Sequence, residues 1–209
     1  EQIKRFHSFE PGTMDHAMYG ADLLFGPEQM IRRFVEDPSF DQLICVAIAK
    51  HSDFKLEGIE DERTLLHARL IRDADKLDNC RVKLEESMET LLDMDEKTVG
   101  ASPISPKVWE SCKAEESVLS ADRKTGMDYW MSYLALYFDI NFPETYQIIK
   151  EQDYIRRIAE RVPYSREDTK EKVEYTVKKL EEKMDGGCDG FCSVLHYALA
   201  DGSFCSIRR

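Results

Sequence analysis

No apolar run in these 209 residues approaches the roughly 20 residues that a bilayer-spanning helix needs. The opening EQIKRFHSF has no signal-peptide core, so a membrane or secreted protein is not indicated and the expected location is cytoplasmic. Basic residues are in deficit: 29 Lys and Arg face 41 Asp and Glu, for a net charge of -12. A broad nucleic-acid surface is thereby disfavoured, because phosphate contacts need clustered cations. Alternating strand patterns, internal repeats and a Gly-rich phosphate loop are all lacking. The six cysteines form no framework spacing. Cys45, Cys80 and Cys112 read as reduced thiols among helical patterns. Cys188, Cys192, His196 and Cys205 carry the ligand types of a zinc site, but a Cys-x3-Cys pair followed by single ligands matches such sites poorly.

What is present is a helical period almost throughout. Thr13 and Asp15 open a helix over 13–25 with a stripe of His16, Tyr19, Gly20 and Leu23. GPEQMIRRFVED continues helically to Pro38, and FDQLICVAIAKHS places Ile44, Ala47, Ile48 and His51 on one face. HSDFKLEGIEDE reads as an exposed polar loop, a candidate rim of a site. One long helix is expected over 61–92, and ASPISPK breaks the pattern. PKVWESCKAEES, TGMDYWMSYLALYFDI, PETYQIIKEQDYIRRIAERV and SREDTKEKVEYTVKKLEEKM all suit helices, with Tyr133, Leu134, Tyr137 and Phe138 as central packing. The expected class is all-α, with a domain over 1–184 and a Gly- and Cys-rich tail over 185–209.

The stretch IRDADKLDN, residues 71–79, sets three aspartates on that long helix. At about 100° per residue Asp75 and Asp78 share a side with Ile71 and Ala74, while Asp73 points away. A carboxylate facing a core needs a cation, a metal or a hydrogen-bond donor. His16, His51, Asp75, Asp78 and His67 are thus the polar candidates on buried faces. Imidazole and carboxylate projecting from neighbouring helices suit a divalent metal. Each histidine also has a plainer reading as a hydrogen-bonded core or surface residue, and Asp78 can cap or pair with Arg72, Lys76 or Arg81. Asp128 sits at a helix start, where capping competes with a role in a pocket.

Asp15-His16 opening one helix, AIAKHS ending another and IRDADKLDN on a third resemble the HD-domain metal-dependent phosphohydrolase superfamily over about residues 1–184. The resemblance implies an HD-like helical bundle with a helical C-terminal extension and one or two divalent metals, with Mn, Fe, Mg and Ni all compatible. It implies hydrolysis of a nucleotide or other small phosphoester. Asp75 would be the closing metal ligand, with His16 and His51 binding a second metal or the substrate phosphate. Lys76, with Arg72, would be a phosphate counter-charge acting beside Asp75 in catalysis. The chain departs from the family in one respect: it contains no His-Asp dipeptide, only the reversed Asp15-His16. With the first histidine and the His-Asp pair missing, the metal site is expected to be incomplete and the activity impaired. Missing N-terminal helices would leave apolar surface that favours a homo-oligomer. Two other readings are a non-catalytic helical module binding a phosphorylated ligand or protein partner, and an interaction protein in which Asp75 and Asp78 form buried salt bridges.

Overall fold

The structure is a computed structural model that describes the backbone of residues 15–200 and the side chains up to residue 186. The Cys188, Cys192, His196 and Cys205 set and most of the expected tail lie outside the residues whose side chains are described. Among the described residues every regular element is helical, as the class assignment expects: α1 (His16–Phe25), α2 (Asp41–Lys50), α3 (Glu62–Glu85), α4 (Met88–Leu92), α5 (Glu96–Ala101), α6 (Pro106–Lys113), α7 (Gly126–Ala135), α8 (Pro143–Glu151), α9 (Tyr154–Ala159) and α10 (Glu167–Ala200). No helix among them is long and apolar enough to cross a membrane.

The described residues divide into two compact units, one up to residue 79 with 119–121, and one of residues 80–118 with those from 122 on. The division falls within α3. In the first unit α1 packs on α2. Asp15 starts α1 by accepting hydrogen bonds from the backbone of Ala17 and Met18, both at 3.0 Å, which satisfies two of the donors that a helix start leaves open. Residues 26–37 do not form the expected full helix; only Met30–Arg33 coil, as a 3₁₀ turn. Its start at Gln29 is left-handed, with φ 48°.

The second unit is built around α7. Trp130, Met131, Leu134 and Ala135 are fully buried, as are Ile149 of α8, Ile158 of α9 and Leu180 of α10. Helices α5, α6, α9 and α10 all pack against α7, and α8 lies along α10. The expected apolar segment holds: Leu134, Tyr137 and Phe138 are buried, and Tyr133 is half-buried beneath the Lys83 ammonium, 3.9 Å from its ring centre. Two long expected helices are interrupted. Ser87 accepts from the backbone of Thr90 and starts α4 afresh, and Asp153 adopts a left-handed φ of 51° between α8 and α9.

Helix α5 approaches the chain closely at Gly100, where a Cβ would overlap the backbone carbonyl of Pro163. Because backbone, not a flexible side-chain end, is in the way, Gly100→Ala is expected to destabilise the protein by about 1–3 kcal/mol, the usual range for overpacking. Urea unfolding measures this, and an unchanged midpoint with an unchanged slope would contradict it.

Candidate functional site

The structure brings together two of the sequence-predicted residues. His16 is the first residue of α1, fixed there by the Asp15 cap, and His51 caps the C-terminus of α2. Gly20 of α1 faces Ile48 of α2, whose Cγ2 a Cβ at Gly20 would meet at 3.7 Å. The Nε2 atoms of His16 and His51 are 3.1 Å apart. The rings meet edge to face, with centres 5.0 Å apart and an interplanar angle of 74°. His16 is exposed and His51 half-buried, so the pair opens to solvent on one side.

The proton positions follow from partners. His51 Nδ1 lies 2.7 Å from the carbonyl oxygen of Ile48. A carbonyl can only accept, so Nδ1 of His51 carries the proton and, in the neutral ring, Nε2 presents a lone pair. The short Nε2–Nε2 contact then requires His16 to donate from Nε2. If His16 instead holds its proton on Nδ1, both Nε2 lone pairs face the same point. The 3.1 Å spacing is that of two adjacent ligands on one ion, each about 2.0–2.1 Å from it. A backbone carbonyl on the distal nitrogen is also the usual orienting partner of a metal-ligating histidine. The pair thus fits two positions of a divalent-metal site.

The aspartates of α3 are placed differently from the sequence reading. Asp75 and Asp78 are exposed, while Asp73 is buried at 1% exposure. The Asp75 carboxylate accepts from the Asn79 side chain one turn on, at 3.2 Å. Among the described residues no group of three or more His, Cys, Asp and Glu is arranged as a metal site. The exposure of Asp75 and Asp78 is what sets aside a buried salt bridge for either of them. The reason is the phase of α3. Its inner row is Thr64, Ala68, Arg72, Lys76 and Cys80, with Asp73 beside it, whereas Leu66 and Leu70 are 50% and 57% exposed. Taking Ile71 and Ala74 as the inner face turned the aspartates the wrong way; Ala74 is in fact exposed.

The remaining candidates also have settled positions. Lys76 is buried, and neither it nor Asp73 lacks a partner. His67 Nδ1 lies 2.8 Å from the carbonyl of Arg63, a contact within its own helix. Arg72, expected as a counter-charge for phosphate, directs its guanidinium at the backbone: Nη1 donates to the carbonyl of His51 at 3.1 Å and to that of Asp53, and Nη2 donates to the carbonyl of Phe54 at 3.0 Å. Residue type and spacing did not reveal this role, although the i, i+4 row containing the small residues Ala68 and Cys80 would have marked Arg72 as inward. Asp128 belongs to the second unit, where it completes the capping box of Thr125 at the start of α7. The chain matches no family model, no curated protein and no solved structure.

Proposed function

We propose that the chain is a metal-dependent phosphohydrolase acting on a nucleotide or other small phosphoester, of the kind its motifs resemble, with His16 and His51 as the gripping residues. The observation that supports this reading is the convergence of two Nε2 atoms to 3.1 Å from different helices, with one ring oriented by a backbone carbonyl. When bound, a divalent cation supplies Lewis acidity toward phosphoryl oxygen and lowers the pKa of its water. The residues contribute the holding. His51 keeps its Nε2 lone pair aimed because Ile48 secures the opposite nitrogen. His16 would hold such a cation as the Nδ1–H tautomer, in which Nε2 carries the lone pair. Exposure of His16 leaves the side open to a substrate phosphate. Two imidazoles are a low ligand count, so modest affinity goes with this reading.

The test is hydrolysis of a panel of nucleotides and generic phosphoesters with added Mn²⁺, run beside calorimetric titration of Mn²⁺ alone. His51→Ala and His16→Ala are each expected to weaken Mn²⁺ binding and turnover by at least about 100-fold, the upper end of what losing even an outer partner of a metal ligand costs. Asp75→Ala decides between the sequence expectation and the structure: an equal loss returns Asp75 to the site, and retained turnover leaves it outside. Turnover that is absent in the parent chain, with phosphate or nucleotide still bound, replaces the hydrolase with the non-catalytic binding module.

A further inference from the structure

We propose that Arg72 is a positioning residue for His51, and that it sets the imidazole pair by holding the backbone that leaves α2. This inference rests on the proposed function only for what the pair binds; the geometry is independent of it. A helix end leaves its last carbonyls without intrahelical donors and carries a partial negative charge. Helix α2 ends at Lys50, with His51 as its cap. The Arg72 guanidinium, at 6% exposure, reaches the carbonyls of His51, Asp53 and Phe54 together. These acceptors lie 21, 19 and 18 residues away in sequence, so the contact is tertiary and not part of any local turn.

Arginine suits this task because its planar fork offers five donors in fixed directions and stays charged, whereas lysine presents a single compact ammonium. His51 is consequently held at two points: its ring by Ile48 and its main chain by Arg72. Loss of the second hold frees the 51–54 segment to turn, and a rotation of the His51 backbone carries Nε2 away from His16. The chain thereby uses a buried cation to build the site without presenting that cation to a substrate.

The experiment uses the full chain, ¹⁵N-labelled, as parent, Arg72→Lys and Arg72→Met. Three readouts are taken: the imidazole ¹⁵N signature of His51, with the His67 ring as internal control; amide exchange at Asp53, whose N–H donates to Lys50 at 3.2 Å; and Mn²⁺ affinity. Both variants are expected to lose the Nδ1–H signature of His51 while His67 keeps its own. Asp53 exchange is expected to speed up, and Mn²⁺ binding to weaken about 10- to 100-fold. A general loss of stability would move His67 and His51 alike, so selective change is the discriminating result. A folded Arg72→Lys protein with unchanged His51 signature and unchanged Asp53 exchange overturns the inference, and that variant decides if Arg72→Met does not fold. A parent chain without Mn²⁺ affinity defeats the proposed function instead, and the two NMR readouts then decide the role of Arg72 alone.

Discussion

Asp128→Ala is expected to destabilise the second unit by about 3–5 kcal/mol, the range seen when one partner of a buried charged network is removed. Asp128 is fully buried at the N-terminus of α7. Its Oδ1 accepts from the backbone of Ser105 at 2.7 Å, and its Oδ2 accepts from the Ser105 hydroxyl at 2.6 Å and the backbone of Lys124 and Thr125 at 2.9 and 3.1 Å. Thr125 Oγ1 accepts in return from the Asp128 backbone at 3.1 Å and donates to the carbonyl of Pro103 at 2.7 Å. Alanine removes the acceptor of four donors at once.

An ordinary cap loss costs about 1 kcal/mol. The larger figure follows because each unsatisfied buried donor adds about 1–3 kcal/mol before the chain relaxes, and because the carboxylate also joins the segment before α6 to the start of α7. Asp128→Asn keeps one acceptor oxygen but turns an amide NH₂ toward donors, so it is expected to lose most of the same stability. Urea unfolding of both variants checks this. A change below about 1 kcal/mol in Asp128→Ala would leave capping alone and refute the network.

Alkaline destabilisation is the second large effect. Burial pushes the Cys80 thiol up to about 11, against a weaker opposing hydrogen bond from the Tyr137 hydroxyl. Burial pushes Cys112 up to about 12, with Thr176 opposing through a hydrogen bond and the Asp128 charge adding to the rise. Both thiols ionise near their ordinary value once the chain unfolds, so the folded value is the higher one. Their contribution is therefore complete below that ordinary value, about pH 8.5. It is lost as the pH rises toward 11 for Cys80 and 12 for Cys112.

At pH 11 each thiol would withhold about 3 kcal/mol of folding free energy. Burial also raises the phenols of Tyr133 and Tyr164, which deepens the loss at the alkaline end. The measurement is urea stability against pH from 7 to 11 for the parent and for Cys80→Ala with Cys112→Ala. The double variant starts less stable because it leaves cavities, but its stability is expected to fall less steeply above pH 9. Parallel curves would remove the thiols from the account. Peptide mapping after iodoacetamide at pH 8 supplies an independent check, since Cys80 and Cys112 should stay unmodified until the chain unfolds.

The helical class was legible because the 3.6-residue period runs through nearly every segment, and Asp15 and Thr125 are cap residues of ordinary type at helix starts. His16 and His51 were each expected on a buried face of an amphipathic segment; the two rings do come within contact, but His16 is exposed and only His51 is half-buried. The interruptions at Ser87 and Asp153 were harder to see, since residues on either side suit helix and only the left-handed Asp153 or the Ser87 cap breaks the run. Asp128 was half legible, as a cap, while its bonds to Ser105 reach 23 residues back.

From the sequence alone come the all-helical class and the absence of a membrane-length apolar run. These depend on residue type and on contacts within a few positions. Tertiary structure decided which face of α3 is inward, and with it that Asp73, Arg72 and Lys76 are buried while Asp75 is exposed. None of the Leu, Ile and Val residues of that helix is buried, so its inward row is held instead by groups that meet its buried charges; for Arg72 these are three carbonyls beyond the end of α2. A burial pattern governed by such partners is not written in the periodicity of the segment itself.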